Sequence, residues 1–128
     1  MLQDPISDCL TRIRNAYARR KSHTDVYASK ENKALLSVLT EQGSIKGFAD
    51  AEDYRYITVE LAYSNRIPSM RSATRISKPS LRRYSKAKSL PRYKSGLSYG
   101  IVSTSKGMMT THHARVENLG GELICVIE

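Results

Sequence analysis

The spacing of the apolar residues changes along the chain, and this change constrains the fold more than any other feature. From Ile6 to Leu39, apolar side chains recur every three or four positions, which is the period of helices with one buried face. From Ile45 onward, apolar residues alternate with polar ones or form short runs, which is typical of strands. The sequence therefore predicts an α+β protein with its longer helices towards the N-terminus.

The first predicted helix begins at Asp4-Pro5, because Asp caps helix N-termini and Pro fits the first helical turn. Its buried stripe consists of Ile6, Cys9, Leu10, Ile13 and Tyr17. Arg12 and Arg14 point away from this stripe. The basic run Arg19–Lys21 ends the helix, where positive charge is favourable and is available to an anion.

An extended piece at Asp25–Ala28 leads into a second predicted helix, which Ser29 caps and Gly43 ends. Its buried stripe consists of Ala34, Leu35, Val38 and Leu39. The strands predicted after it are Ile45–Ala49 and Tyr54–Tyr63. We expect these elements to form an α/β lobe over residues 1–65, with a joint at Asn65–Ser69.

Short strands dominate the second half of the chain. The predicted strands are Ala73–Ser77, Arg82–Tyr84, Tyr99–Ser103 and Glu122–Ile127. Between them lie a basic loop with one short turn, Ser85–Gly96, and a short helix from Thr110 to about Asn118. Lys106-Gly107 is predicted to end a strand, and Gly120-Gly121 to break the helix. We therefore expect a smaller β-rich C-terminal lobe, residues 66–128, with the N-terminal lobe packed on it.

Basic side chains are concentrated in one acid-free segment, Leu61–Val116. It holds 12 Lys and Arg residues and no Asp or Glu, so the net charge of +9 arises in the second half. One-sided charge in foldable segments predicts a polyanionic partner, with a phosphate backbone first and an anionic membrane second. A merely basic, soluble domain is the alternative. No apolar run approaches the length of a membrane span, so none is expected.

One short segment, Ser103-Thr104-Ser105-Lys106-Gly107, supports three interpretations. Ser103 and Lys106 have the Ser-x-x-Lys spacing of penicillin-recognising hydrolases, but the hydrolase serine opens a helix in a much larger domain. Three hydroxyls, one ammonium and a Gly suit contacts with phosphates, 2′-OH groups and base edges. A polar turn that caps itself is the third interpretation.

Neither a cofactor nor a metal site is predicted. The adjacent His112 and His113 diverge on a helix, and no further ligand lies at metal-binding spacing. Cys9 and Cys125 each lie in an apolar segment, which predicts buried thiols in a reducing compartment. Because there is also no triad and no Gly-rich phosphate loop, we predict that the chain is not an enzyme.

Several segments, in order along nearly the whole chain, resemble one known family. They are Asp4–Ala16, Arg75–Tyr84, Gly96-Leu97, Ile101–Thr110, Ala114-Arg115 and Leu119–Cys125. The family is bacterial-type small-subunit ribosomal protein eight, and its C-terminal signature is the specific part of the match. The resemblance implies an N-terminal α/β lobe and a β-rich C-terminal lobe, in agreement with the independent prediction.

The resemblance also implies a structural, non-enzymatic protein of the small ribosomal subunit. As a primary rRNA-binding protein, it would bind the central domain of small-subunit rRNA early in assembly, with Ser103–Ser105 reading a helix of splayed bases. It would contact neighbouring small-subunit protein number five and, in an added role, repress translation of its own operon messenger. It would be ribosome-bound in the cytoplasm, or in a mitochondrion or plastid if the gene is organellar.

The RNA-binding residues are expected in both lobes. They are Ser103, Thr104, Ser105, Lys106, Gly107, Tyr84, Arg82, Arg83, Lys78, Arg75, Arg12, Arg14, Asn15, Ser29 and Lys30. The chain departs from the family's usual residues at four places, which suggests a divergent lineage. Tyr27 stands where Pro is usual, Ser80 where Gly is, Tyr99-Gly100 where Ile-Ala is, and Thr111 where Asp is. Tyr27 weakens the inference for Lys30, and Ser80 is expected to reshape the turn after Pro79.

Overall fold

The computed structural model describes residues 4–93 and 98–128, which form a mixed α+β fold in two compact units. Unit 1 is Met1–Arg71 and unit 2 is Ser72–Glu128. The predicted fold class is confirmed. The predicted boundary between two lobes at residues 65 and 66 stays a prediction. The end of the predicted basic loop and the Gly96-Leu97 match lie outside the described residues.

Unit 1 contains two helices, a three-stranded antiparallel sheet and a small hairpin. In chain order the elements are α1 (Pro5–Ala18), β1 (His23–Tyr27), α2 (Lys30–Glu41), β2 (Gly47–Asp50), β3 (Tyr56–Glu60), β4 (Tyr63–Ser64) and β5 (Ile67–Pro68). The sheet has the order β1-β3-β2, and β4 pairs with β5. This hairpin overlaps the segment Asn65–Ser69, which the sequence predicted only as a joint.

Both helices of unit 1 begin at the predicted caps. The Asp4 carboxylate accepts from the Ser7 amide at 3.2 Å, and the Ser29 hydroxyl accepts from the Asn32 amide at 3.1 Å. All five residues of the predicted α1 stripe are buried. In α2, Leu36 is buried where the sequence favoured Ala34, because α2 packs against both α1 and β2 and so buries a broader face.

The strand predicted over Tyr54–Tyr63 is shorter than its alternating pattern. Ile57 and Val59 point into the core as expected. Tyr54, however, is 85% exposed and lies in the preceding turn. Arg55 and Asp53 close that turn through an ion pair of 2.6 Å, so the strand begins at the next residue.

Unit 2 is a five-stranded antiparallel sheet with one short helix. In chain order the elements are β6 (Ala73–Arg75), β7 (Tyr84–Ser85), a 3₁₀ turn (Ala87–Ser89), β8 (Tyr99–Thr104), β9 (Gly107–Thr110), α3 (Thr111–Val116) and β10 (Gly121–Ile127). Strand β10 is central: it pairs with β8 along one edge and with β6 and β7 along the other. Strand β9 pairs with the far side of β8.

The core of unit 2 includes a cluster of Leu90, Val102, Met109 and Ala114, with Leu119 packed against it. Thr110 caps α3 by accepting from the His113 amide at 3.1 Å, as the sequence predicts. The sequence did not predict β9, and treated Lys106-Gly107 as the end of a strand rather than the turn of a hairpin. No helix among the described residues is long and apolar enough to cross a membrane.

Candidate nucleic-acid interface

The hydroxyl-rich segment forms the turn between β8 and β9. Thr104 pairs with Gly107, which leaves Ser105 and Lys106 at the tip. Gly107 has φ of 109°, a left-handed conformation that side chains other than Gly rarely adopt. Gly is the residue that tight turns use where the chain must adopt this conformation. The left-handed conformation therefore explains the Gly at this turn, since a Cβ there would meet no atom of the described residues within 4 Å.

The three hydroxyls of this turn have different environments. The Thr104 hydroxyl donates to the Gly107 carbonyl at 2.8 Å and accepts from the Lys106 amide at 3.1 Å, so it stabilises the turn itself. Ser103 is half-buried on β8, whereas Ser105 and Lys106 are exposed. The Ser105 hydroxyl forms no hydrogen bond to any of the described residues. The self-capping interpretation thus applies to Thr104, and the tip presents Ser105 and Lys106 to a partner.

Strand register places predicted residues from separate segments in one row. Glu122 of β10 pairs with Ser103 of β8 on one side and with Tyr84 of β7 on the other. Directly paired residues project from the same face of a sheet, and adjacent strands are roughly 5 Å apart. Tyr84 and Ser103 therefore lie on one face, roughly 10 Å apart. Tyr84 is 72% exposed, so its ring lies outside the core.

The Glu122 side chain connects β10 to the segment between β6 and β7. Its carboxylate accepts from the Ser77 hydroxyl at 2.5 Å and from the Arg82 guanidinium at 2.9 Å. The fully buried Ser77 hydroxyl also accepts from the Arg83 amide at 3.0 Å. The sequence places Glu122 only at the start of a predicted strand. The structural role of Glu122 follows from the pairing register of β10. The sequence predicts the strands but not which of their residues pair.

The Gly120-Gly121 pair positions the same strands. A Cβ atom at Gly121 would lie 2.0 Å from the Ser103 carbonyl oxygen, and one at Gly120 would lie 2.6 Å from the Ser85 carbonyl oxygen. The start of β10 therefore approaches β8 and β7 more closely than any other residue allows. The sequence interpretation of this pair as a helix breaker missed this packing role, although paired Gly before a strand is a signal for close approach.

The basic residues before β7 divide into two groups. Lys78, Arg82 and Arg83 are exposed on unit 2. Arg75 is half-buried, and its guanidinium donates to the Ile124 carbonyl at 2.8 Å, which ties β6 to β10. An RNA contact by Arg75 stays a prediction, and its structural role was not foreseen.

The predicted residues of unit 1 are similarly divided. Arg12 forms an ion pair with Asp8 at 2.9 Å, and Ser29 caps α2. Burial is the largest single influence on the pKa of Arg12, and it lowers this pKa. The hydrogen bond and the charge of Asp8 act in the opposite direction, and the net effect is a raised pKa. Arg14, Asn15 and Lys30 are exposed side chains of α1 and α2.

The geometry gives the hydrolase interpretation no support. Ser103 lies in a strand and Lys106 in a hairpin turn, so the helical spacing that would bring them together does not exist. No group of three metal-binding side chains occurs among residues 4–93 and 98–128. Cys125 is a buried free thiol, and burial raises its pKa to about 12, so the reactive thiolate is suppressed.

Comparison with known proteins decides the family. A family model described as ribosomal protein S8 matches residues 4–127. The chain belongs to the ribosomal protein S8 family. It is 45% identical over 128 residues to small ribosomal subunit protein uS8 of Nitrosomonas eutropha. It is 44% identical over 129 residues to that of Brucella anthropi, and each alignment covers 98% of this chain and 98% of the relative.

Membership of the S8 family confirms the resemblance seen in the sequence. The chain is a constituent of the small ribosomal subunit, which makes it an rRNA-binding ribonucleoprotein component of translation. The S8 family consists of structural proteins rather than enzymes.

Two residues at which the sequence was expected to depart from the family are neighbours in unit 2. Thr111, the first residue of α3, is 2% exposed. A Cβ at Gly100 would lie 2.8 Å from the Thr111 methyl group, so the missing side chain at Gly100 accommodates Thr111.

The Ser80 turn is closed by two hydrogen bonds between Lys78 and Leu81, and Ser80 has no positive φ, so this turn does not need Gly.

The departure at Tyr27 contributes to packing in unit 1. The Tyr27 ring stacks on Tyr56 with centroids 5.1 Å apart. The Arg12 guanidinium lies 4.9 Å from the centroid of the Tyr27 ring, within the range of a cation–π contact. Tyr27 therefore helps to orient the Arg12 side chain.

The Glu122 network predicts a pH-dependent stability. Burial alone raises the pKa of Glu122, but the hydrogen bonds from Ser77 and Arg82 and the nearby guanidinium charges lower it below the ordinary 4.5. Its contribution to the free energy of unfolding is therefore complete above pH 4.5 and is lost as the pH falls through the lower folded pKa. Glu122→Gln should cost about 1 kcal/mol at neutral pH, with the difference from wild type shrinking in acid.

Urea unfolding of the full chain across this pH range measures the effect. Glu117→Gln is the matched control, because Glu117 belongs to the same unit and its side chain is 46% exposed in an ion pair with His113. Its effect should be within about 0.5 kcal/mol at every pH. Equal pH profiles for the two variants would contradict a stabilising role for the Glu122 network.

Proposed function

We propose that this chain is a primary rRNA-binding protein that binds the central domain of small-subunit rRNA during assembly. The observation that carries the proposal is the row of Ser103, Glu122 and Tyr84 beside the exposed tip Ser105-Lys106. This arrangement supports specific recognition, because hydroxyls read base edges and 2′-OH groups in a way that bulk charge cannot.

The polar and basic groups beside this row each have a separate part in the proposed contact. The Ser105 hydroxyl donates to or accepts from an unpaired base edge or a 2′-OH. Lys106 and Arg83, both exposed, bind phosphate oxygens. Arg82 is held by Glu122 at 2.9 Å, which fixes the position of its guanidinium before RNA arrives. The preorganised turn therefore reduces the ordering cost of binding.

Footprinting of small-subunit rRNA with the purified chain tests this proposal. We expect protection within one helix of the central domain that has an irregular, base-splayed core. A fragment carrying that helix should compete for binding, whereas an unrelated structured RNA at the same concentration should not. Protection spread over many duplexes, removed equally by both competitors, would contradict specific recognition and leave a general polycation.

Tyr84 should contribute to RNA binding and little to folding. Its 72% exposed ring can stack on a base, a contact that is worth roughly 1 kcal/mol at an open site. Tyr84→Phe should keep the affinity, and Tyr84→Ala should weaken it about fivefold with the urea midpoint unchanged. Filter binding to the central-domain fragment and urea unfolding measure the two effects separately. A loss of stability without a loss of affinity would assign the ring to packing.

Three narrower expectations belong to the same proposal. The chain binds a similar element in its own operon messenger, contacts small-subunit protein number five, and works on a bacterial-type ribosome in the cytoplasm. A mitochondrial or plastid ribosome is the alternative location. The bacterial relatives support a bacterial-type ribosome. Competition between the messenger leader and the central-domain fragment for one protein surface tests the first expectation.

A further inference from the structure

A concave site in unit 1 lies apart from the residues used in the proposal above. It has a volume of about 430 Å³ and lies where the β4–β5 hairpin meets the end of α1. Its described lining consists of Arg20, Tyr63 and Arg66. Two arginines and one tyrosine thus line a single open cavity.

Hydrogen bonds and ring contacts hold the walls of this cavity in place. The Tyr63 hydroxyl donates to the Lys21 carbonyl at 2.7 Å, and its ring meets Tyr17 edge-on with centroids 5.4 Å apart. The Arg20 guanidinium donates to the Arg66 carbonyl. The Tyr17 hydroxyl accepts from the Ala62 amide at 3.0 Å, immediately before the hairpin. Tyr63 and Arg20 are therefore held in place before a ligand binds.

The turn of the hairpin carries an unusual residue for its conformation. Asn65 and Arg66 have φ of 52° and 68°, so both lie in the left-handed region. Two-residue hairpin turns of this kind favour Asn-Gly, because a Cβ is strained at the second position. Arg66 is exposed, so no packing requirement explains its side chain. A strained residue of this kind is a pointer to function.

The surroundings of the cavity favour an anion. Residues 9–24 contain five Lys and Arg residues and no Asp or Glu, and the acid-free segment begins at Leu61. The guanidinium fork matches the oxygens of a phosphate, and an aromatic ring stacks on a base of any identity. A phosphate and a planar base are joined in only one common ligand, the nucleotide.

We propose that this cavity binds one unpaired nucleotide of RNA, with its phosphate on Arg20 and Arg66 and its base against Tyr63. This contact rests on the proposed rRNA-binding function and adds a second, sequence-tolerant site in unit 1. Binding there does not use the β8–β9 hairpin, so the two sites can fail independently.

Arg66→Gly separates binding from folding, because Gly suits the left-handed turn and removes only the guanidinium. We expect a short oligouridylate, added to the full chain, to shift the NMR signals of Arg20, Tyr63 and Arg66. Arg66→Gly should weaken this binding on the order of fivefold and keep or raise the unfolding midpoint. Arg66→Lys, which keeps the charge, should restore part of the affinity.

Lys33→Ala is the matched control, because it removes one exposed positive charge from α2 in the same unit. It should leave oligouridylate binding unchanged. The shifts at Arg20, Tyr63 and Arg66 report on the cavity, whereas binding of the central-domain fragment reports on the β8–β9 hairpin, so a failed recognition loop and a failed cavity give different results. Equal losses for Arg66→Gly and Lys33→Ala would overturn the proposal. Shifts of the same signals by a hexaglutamate peptide at equal concentration would also overturn the proposal, because the cavity would then be a general anion site.

Discussion

Replacing Gly121 with Ala is expected to destabilise unit 2 by about 3 kcal/mol, the upper range for overpacking a closely packed site. The added Cβ would lie 2.0 Å from the Ser103 carbonyl oxygen and 3.2 Å from the Thr104 Cα. Both obstacles are backbone atoms, so no side-chain rotation relieves the clash. Strand β8 or β10 must move, which disturbs the pairing of Glu122 with Ser103.

Gly47→Ala is the control for this substitution. A Cβ at Gly47 meets no atom within 4 Å, and its backbone lies outside the left-handed region. Its effect should stay within about 0.5 kcal/mol. Urea unfolding followed by circular dichroism compares the two variants. A Gly121→Ala chain as stable as the Gly47→Ala chain would contradict the close approach of β10 to β8.

Gly121→Ala should also affect RNA binding, because Gly121 packs closely against Ser103 and Thr104 at the end of β8. A shift of β8 by even 1 Å moves Ser103 and the tip relative to Tyr84 on β7. Cognate affinity should therefore fall even under conditions in which the Gly121→Ala chain is still folded. Binding to scrambled RNA should change much less, since phosphate contacts tolerate small displacements.

The parts of the fold that the sequence predicts correctly are those encoded by near neighbours. A cap and the amide it accepts are three residues apart, so Asp4 and Ser29 identify both helix starts. The helical stripe of α1 depends on spacings of three and four, and it is buried as expected. The alternation of Ile57 and Val59 likewise identifies the buried face of β3.

The parts that the sequence misses depend on distant partners. Strand β9 has only four residues, two of them Met, and it becomes a strand because it pairs with β8. The turn at Asn65-Arg66 lacks the usual Gly, so the chain carries no local hairpin signal there. The close approach at Gly121 and the Glu122 network both require knowledge of which strands lie side by side.

The candidate site shows the same division. Motif resemblance identifies Ser103–Gly107 as one loop, and register alone reveals that Tyr84 lies on the same face. Residue type does not show which hydroxyl is available, because Thr104 and Ser105 are adjacent and chemically alike. Only the hydrogen bonds of Thr104 within the turn separate its structural role from the proposed recognition role of Ser105.

Ser105→Ala is expected to weaken binding to the central-domain fragment at least tenfold, or about 1–3 kcal/mol, because it leaves an RNA group unpaired. Folding should not change, since the Ser105 side chain is exposed and the turn hydrogen bonds come from Thr104. Lys106→Ala should weaken cognate and scrambled RNA alike and flatten the salt dependence by about one unit, as for a lost phosphate contact.

Thr104→Val supplies the third comparison, because it removes the hydroxyl that closes the turn and keeps a side chain of similar shape. It should lower both the unfolding midpoint and the cognate affinity, whereas Ser105→Ala should lower the affinity alone. Measuring all three variants against cognate and scrambled RNA at one salt concentration separates specificity, charge and turn stability. A Ser105→Ala chain that kept its full preference for cognate RNA would remove the hairpin tip from recognition. Specificity would then have to come from the exposed segment that carries Arg82, Arg83 and Tyr84.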